Sequence, residues 1–120
     1  MKTTVYHEIT HIIDNRLAWD ALFDKKALFS EKEWLKQQPK GFDYAYSYVN
    51  IPESVEKYYS SGYFADNYGC TFPTEDRATM MAAAMNGETN TFEVHPGLVG
   101  KLRYYSQCIR DCFDTTGWPE

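Results

Sequence analysis

Val5-Tyr6-His7-Glu8-Ile9-Thr10-His11-Ile12-Ile13-Asp14 is a helical stretch carrying the pattern H-E-x-x-H. Val5, Tyr6, Ile9, Ile12, Ile13 and Leu17 supply apolar positions at spacings of three and four, the period of a half-buried α-helix. Side chains four apart share one helix face, so His7 and His11 can offer their imidazoles to a single cation. Glu8 projects beside that face. A carboxylate so placed can reach a metal-activated water while the histidines hold the ion. Two of the chain's three histidines lie in this pattern. The plainer alternative is an amphipathic helix with two solvated histidines.

Two histidines do not complete a catalytic zinc site, which takes three protein ligands and keeps a fourth position for water. His95 is one candidate, but Glu93-Val94-His95-Pro96-Gly97 reads as a turn before the last helix, with His95 at a surface or capping position. Glu75 is the better one. In Tyr68-Gly69-Cys70-Thr71-Phe72-Pro73-Thr74-Glu75-Asp76-Arg77-Ala78, Pro73 or Thr74 opens a helix and Glu75 falls in its first turn. Exposed N–H groups and the helix dipole favour a carboxylate there, with or without a metal.

Taken together, the segments His7 to His11 and Tyr68 to Ala78 resemble the gluzincin metallopeptidases. The likeness is to the branch that includes the catalytic domain of anthrax lethal factor and the Mlc titration factor peptidase, and to bacterial zinc-binding metallopeptidases. In that branch a tyrosine stands seven residues before the glutamate ligand, the interval from Tyr68 to Glu75 here, and a short apolar helix follows, matched by Asp76 to Met85. The resemblance implies His7, His11 and Glu75 as ligands of Zn2+, Glu8 as general base, and Tyr68 as the phenol that supports the oxyanion. The branch often has a further acidic residue one turn after the glutamate. This chain has Thr79 there, so that support is absent or altered.

These residue types suit peptide hydrolysis. Zinc lowers the pKa of its bound water to about 7, and a carboxylate can take the proton and pass it to the leaving amine. A phenolic O–H can donate to the oxygen on which negative charge develops. Ten tyrosines occur in the chain, so Tyr68 stands out only through its interval to Glu75. Asp14, three residues beyond His11, is positioned to accept the second ring N–H of an imidazole. Asp66 and Asp76 are weaker candidates for that role.

The remainder predicts a helical scaffold. Ser30 with Glu33 forms a capping box before Trp34 and Leu35, and Pro39-Lys40-Gly41 ends that helix. Phe42, Tyr44, Tyr46 and Tyr48 alternate with smaller or polar residues, as in a short strand or a loop lining a substrate cleft. Pro52 to Tyr59 reads as a short helix ended near Ser61-Gly62. Pro96 opens a final helix with Leu98, Leu102, Tyr105, Ile109, Cys112 and Phe113 on one stripe and Lys101, Arg103, Arg110 and Asp111 on other faces. Met80, Met81 and Met85 form an apolar stripe expected in the core, with a helix stop at Asn86-Gly87.

With 120 residues and 43% apolar content the chain makes one domain. A formal net charge of −5 argues against a nucleic-acid partner, and no apolar run is long enough to span a bilayer. Nothing resembles a signal peptide. Three cysteines form no closed disulfide framework and hint at a reducing compartment, while proteins of the resembling group are often exported, so the compartment stays open. Cys70, with no neighbouring histidine, is not read as a nucleophile.

Zincins place a sheet before the H-E-x-x-H helix, and its edge strand pairs with extended substrate. Only six residues precede His7. The expectation is therefore a mainly α chain, residues 1–120 forming the zincin-like helical, C-terminal part of a metallopeptidase domain truncated at its N-terminal side, its upstream sheet largely missing. Function divides three ways: a zinc peptidase acting on peptide or protein substrates, a catalytically weak zinc-binding module with a protein-interaction role, or a metal-free helical interaction domain.

Overall fold

The computed structural model describes residues 2–24 and 27–113, and the chain is mainly α-helical, with no strand among those residues. Helix α1 (Lys2–Phe23) contains neither proline nor glycine and runs unbroken for about six turns. Short α2 (Glu31–Leu35) and α3 (Glu53–Glu56) follow, then a 3-10 turn at Asn67–Cys70 that leads into α4 (Pro73–Met85). A one-and-a-half-turn helix α5 (Thr89–Val94) connects α4 to α6 (Gly97–Cys112). The main packing is α1 on α4, with α6 bracing both. No helix among the described residues is long and apolar enough to cross a membrane.

Helix α4 is the centre of the molecule. Pro73 occupies its first turn, where a missing N–H costs nothing, and every residue from Glu75 to Ala83 is buried. Ala78 and Ala82 are small enough to let neighbouring elements approach closely. The helix stops as its sequence predicts: the Glu88 N–H donates to the Ala83 carbonyl and the Gly87 N–H to Ala84, at 3.0 and 3.1 Å, with Gly87 at a φ of +71°. Met80 and Met81 are core residues, but Met85 is 43% exposed, because the last turn projects beyond the elements that cover the first three.

The inner face of α1 differs from the expected stripe. Thr10, Asp14 and Leu17 are buried, with Tyr6, Ile13 and Ala21 half-buried beside them, whereas Val5, Ile9 and Ile12 face outward at 55%, 38% and 69% exposure. The spacing merged two faces into one stripe, because α1 carries apolar residues on two sides. Burial goes to the side that meets α4, and there a short threonine and a paired carboxylate fit best. Trp19 and Phe23 continue the outward stripe.

Asp14 engages Arg77, not an imidazole. The Arg77 guanidinium donates to both Asp14 oxygens and to both oxygens of Glu31, while its plane lies 5.0 and 5.3 Å from the Phe29 and Trp34 ring centres. The Tyr105 hydroxyl also donates to Asp14, at 2.8 Å. Lys101, which lies off the apolar stripe of α6, is fully buried. Its ammonium donates to both Asp76 oxygens, at 2.9 and 2.7 Å, and to the Tyr63 carbonyl at 2.7 Å. Asp76 likewise belongs to this interior network, not to an imidazole. Periodicity could not find these pairs, because each side chain's partner is brought by a different helix.

In the connections, the Ser30 hydroxyl accepts the Glu33 N–H at 3.0 Å, but the reverse half of the box does not form: the Ser30 N–H donates to the Tyr104 hydroxyl and Glu33 receives Lys36. The 42–48 segment is a loop and not a strand. It is strapped to the approach to α4 by the Ala45 N–H on the Cys70 carbonyl (3.0 Å) and the Tyr46 N–H on Thr71 (2.7 Å). Tyr46 sits at a φ of +53°, a conformation costing a side-chain-bearing residue on the order of 1 kcal/mol.

Candidate metal centre

Neighbouring helices α1 and α4 bring His7, His11 and Glu75 to one point. The Oε1 oxygen of Glu75 lies 2.8 Å from Nε2 of His7 and 3.0 Å from Nε2 of His11, across 68 and 64 residues of chain. The three ligand atoms all fall within 4.8 Å of one another. Bonds of about 2.0–2.1 Å in a tetrahedron set ligand atoms roughly 3.3 Å apart, and each of the two Nε2–Oε1 distances lies a few tenths of an ångström short of that value. Two imidazole nitrogens and one carboxylate oxygen are a donor set zinc accepts. The residues present therefore fit the ion.

Glu75 is buried at the start of α4. Burial alone would raise its pKa, but the hydrogen bonds from His7 and Tyr48 and the positive field of His11 and His7 outweigh it and hold the carboxyl below its usual value. It is thus ionised, as a ligand must be. Glu8 is exposed on the face of α1 next to the histidines. Tyr68, in the 3-10 turn, is 45% exposed with its ring centre 6.4 Å from that of His7. Desolvation and the Glu75 charge raise the Tyr68 pKa, so the phenol keeps its proton at neutral pH.

A cleft of about 300 Å³ opens beside this group, lined by His7, Asp66, Tyr68, Thr79 and Glu88 among others. Asp66 caps the 3-10 turn by accepting the Gly69 N–H at 3.1 Å, and it shares the cleft with His7. Thr79 spends its hydroxyl on the Asp76 carbonyl. His95 is the C-terminal cap of α5 and lies outside the group. Cys70 is buried, and burial, with Asp76 nearby, pushes its thiol up to about 12, which leaves it un-ionised and inert.

Tyr48 is the member that sequence reasoning did not single out. Its hydroxyl donates to the other Glu75 oxygen, Oε2, at 3.0 Å, and its ring packs on Phe72 and Tyr68 with centres 4.7 and 5.5 Å away. Desolvation and the Glu75 hydrogen bond push its phenol up to about 12. The alternating tyrosines marked this segment as one that could line a cleft, but its pairing with Glu75 depends on the left-handed turn at Tyr46. Comparison of the chain with models of protein families, with curated proteins and with solved structures finds no match.

Proposed function

We propose that this chain is a zinc-dependent peptidase, with His7, His11 and Glu75 as the metal ligands. The observation that carries this reading is the convergence of both Nε2 atoms on one oxygen of Glu75, with Glu8 on the adjoining helix face. Zinc held by these three residues would acidify a water and polarise a peptide carbonyl. Glu8 takes the proton of the attacking water and returns it to the leaving amine. Tyr68, protonated and half-exposed at the rim of the cleft, donates its O–H to the oxygen that gains charge. The peptide lies along the cleft beside His7.

Zinc content after metal-free purification and reloading, measured with turnover of a diverse peptide library, tests this reading. Wild type should bind one zinc and cleave; His7→Ala and Glu75→Ala should lose metal; Glu8→Gln should keep metal and lose turnover. Tyr68→Phe should retain zinc with kcat lowered about 100-fold. A His7→Ala variant holding as much zinc as wild type would reject the ligand assignment. One observation favours a second reading. Glu75 already bonds both histidines and Tyr48, so the group also ties α1 to α4, as a zinc-binding module without turnover requires. In that case wild type binds zinc and cleaves nothing.

A further inference from the structure

We infer that Tyr48 is a positioning residue for the metal group, holding Glu75 as a single-oxygen ligand. This inference rests on the reading of His7, His11 and Glu75 as metal ligands. The two Glu75 oxygens have divided roles: Oε1 faces both imidazoles at 2.8 and 3.0 Å, and Oε2 accepts the Tyr48 hydroxyl at 3.0 Å. A carboxylate with both oxygens free can close on a cation with two bonds and take the place a water needs. A phenol donating to Oε2 draws charge from that oxygen and fixes the plane of the carboxylate, leaving Oε1 to bind.

The hydroxyl is delivered by a loop built for the purpose. Two backbone hydrogen bonds fix residues 45 and 46 to the approach of α4, Tyr46 adopts its positive φ, and the Ser47 hydroxyl accepts the N–H groups of Val49 and Asn50 at 3.2 and 2.9 Å. Phe72 and Tyr68 flank the Tyr48 ring. The same loop serves the next residue of α4, since the Tyr44 hydroxyl donates to Asp76. One strap thus supplies a phenol to each of two successive carboxylates, one inside the core and one at the metal group.

Cobalt(II) reports coordination number through its visible absorption, and the full chain with Tyr48→Phe keeps the ring while removing the donor. Wild type loaded with cobalt should show the intense bands of four-coordination. The variant should show weaker bands of higher coordination and about 10-fold poorer affinity for cobalt and zinc, with an unchanged urea midpoint. Ser47→Ala, which loosens the strap without touching the ring, should shift the spectrum in the same direction by less. Tyr44→Phe should lower the urea midpoint and leave the spectrum alone, which a general loss of packing would not do. Wild-type spectra and affinities in both Tyr48→Phe and Ser47→Ala overturn the inference while the metal reading stands. A wild type that takes up no cobalt overturns both.

Discussion

Arg77 and Lys101 show how this molecule uses charge. Both are fully buried, and each donates to carboxylates from other elements, Lys101 also to the Tyr63 carbonyl. Burial pulls Lys101 down and pushes Asp76 up, each opposed by the charge of the other, whereas Asp14 and Glu31 hold the Arg77 guanidinium well above its ordinary value despite its burial. Removing one partner of such a pair strands the other without water. Arg77→Met should therefore cost about 3–5 kcal/mol in urea unfolding, and a loss under 1 kcal/mol would show that Asp14 is solvated. Cys70 gives a prediction of opposite character. Burial pushes its thiol from an ordinary 9.0 up to about 12, so its contribution to stability is complete below pH 9 and is lost as pH rises towards 12. At pH 8 a thiol reagent should label Cys70 only on unfolding. Rapid native labelling of Cys70, located by peptide mapping, would contradict its burial.

Among the elements, legibility followed the strength of local signals. Proline at the start of α4, the Asn86-Gly87 stop and the apolar stripe of α6 are short-range features, and each placed its helix correctly. The outer face of α1 was misassigned because a 3–4 spacing says that a stripe exists and not which neighbour meets it. Leu17→Ala should cost about 2–5 kcal/mol, and Ile12→Ala within about 0.5 kcal/mol of nothing; equal losses in thermal or urea melts would restore the original assignment. The turn before α6 was legible, but its contact with residues 62 and 63 was not. A Cβ on Gly97 would come within 2.7 Å of the Gly62 carbonyl oxygen and of the Tyr63 ring, and the Gly97 N–H donates to that carbonyl. Gly97→Ala should destabilise by about 1–3 kcal/mol. A neutral result would mean that the 62–63 loop moves aside freely.

At the scale of the whole molecule, the metal group and the Asp14–Arg77 pair belong to the same two helices. Asp14 lies three residues beyond His11 and Arg77 two beyond Glu75. The ion pair thus clamps α1 to α4 next to the place where His7, His11 and Glu75 meet. The grouping of His7, His11 and Glu75 was legible because H-E-x-x-H is a local pattern and the interval from Tyr68 to Glu75 matches the resembling family. Tyr48 and the buried clamp were not, because both depend on side chains meeting across the fold. Zinc at about 100 times its Kd should add about 2.7 kcal/mol to wild-type stability and nothing to Glu75→Ala. The most direct measurement is zinc-edge X-ray absorption of the reloaded full chain. The account predicts a shell of nitrogen and oxygen at about 2.0–2.1 Å with the outer scattering of two imidazoles. A sulfur shell near ~2.3 Å, or a wild-type shell without imidazole scattering, would contradict it.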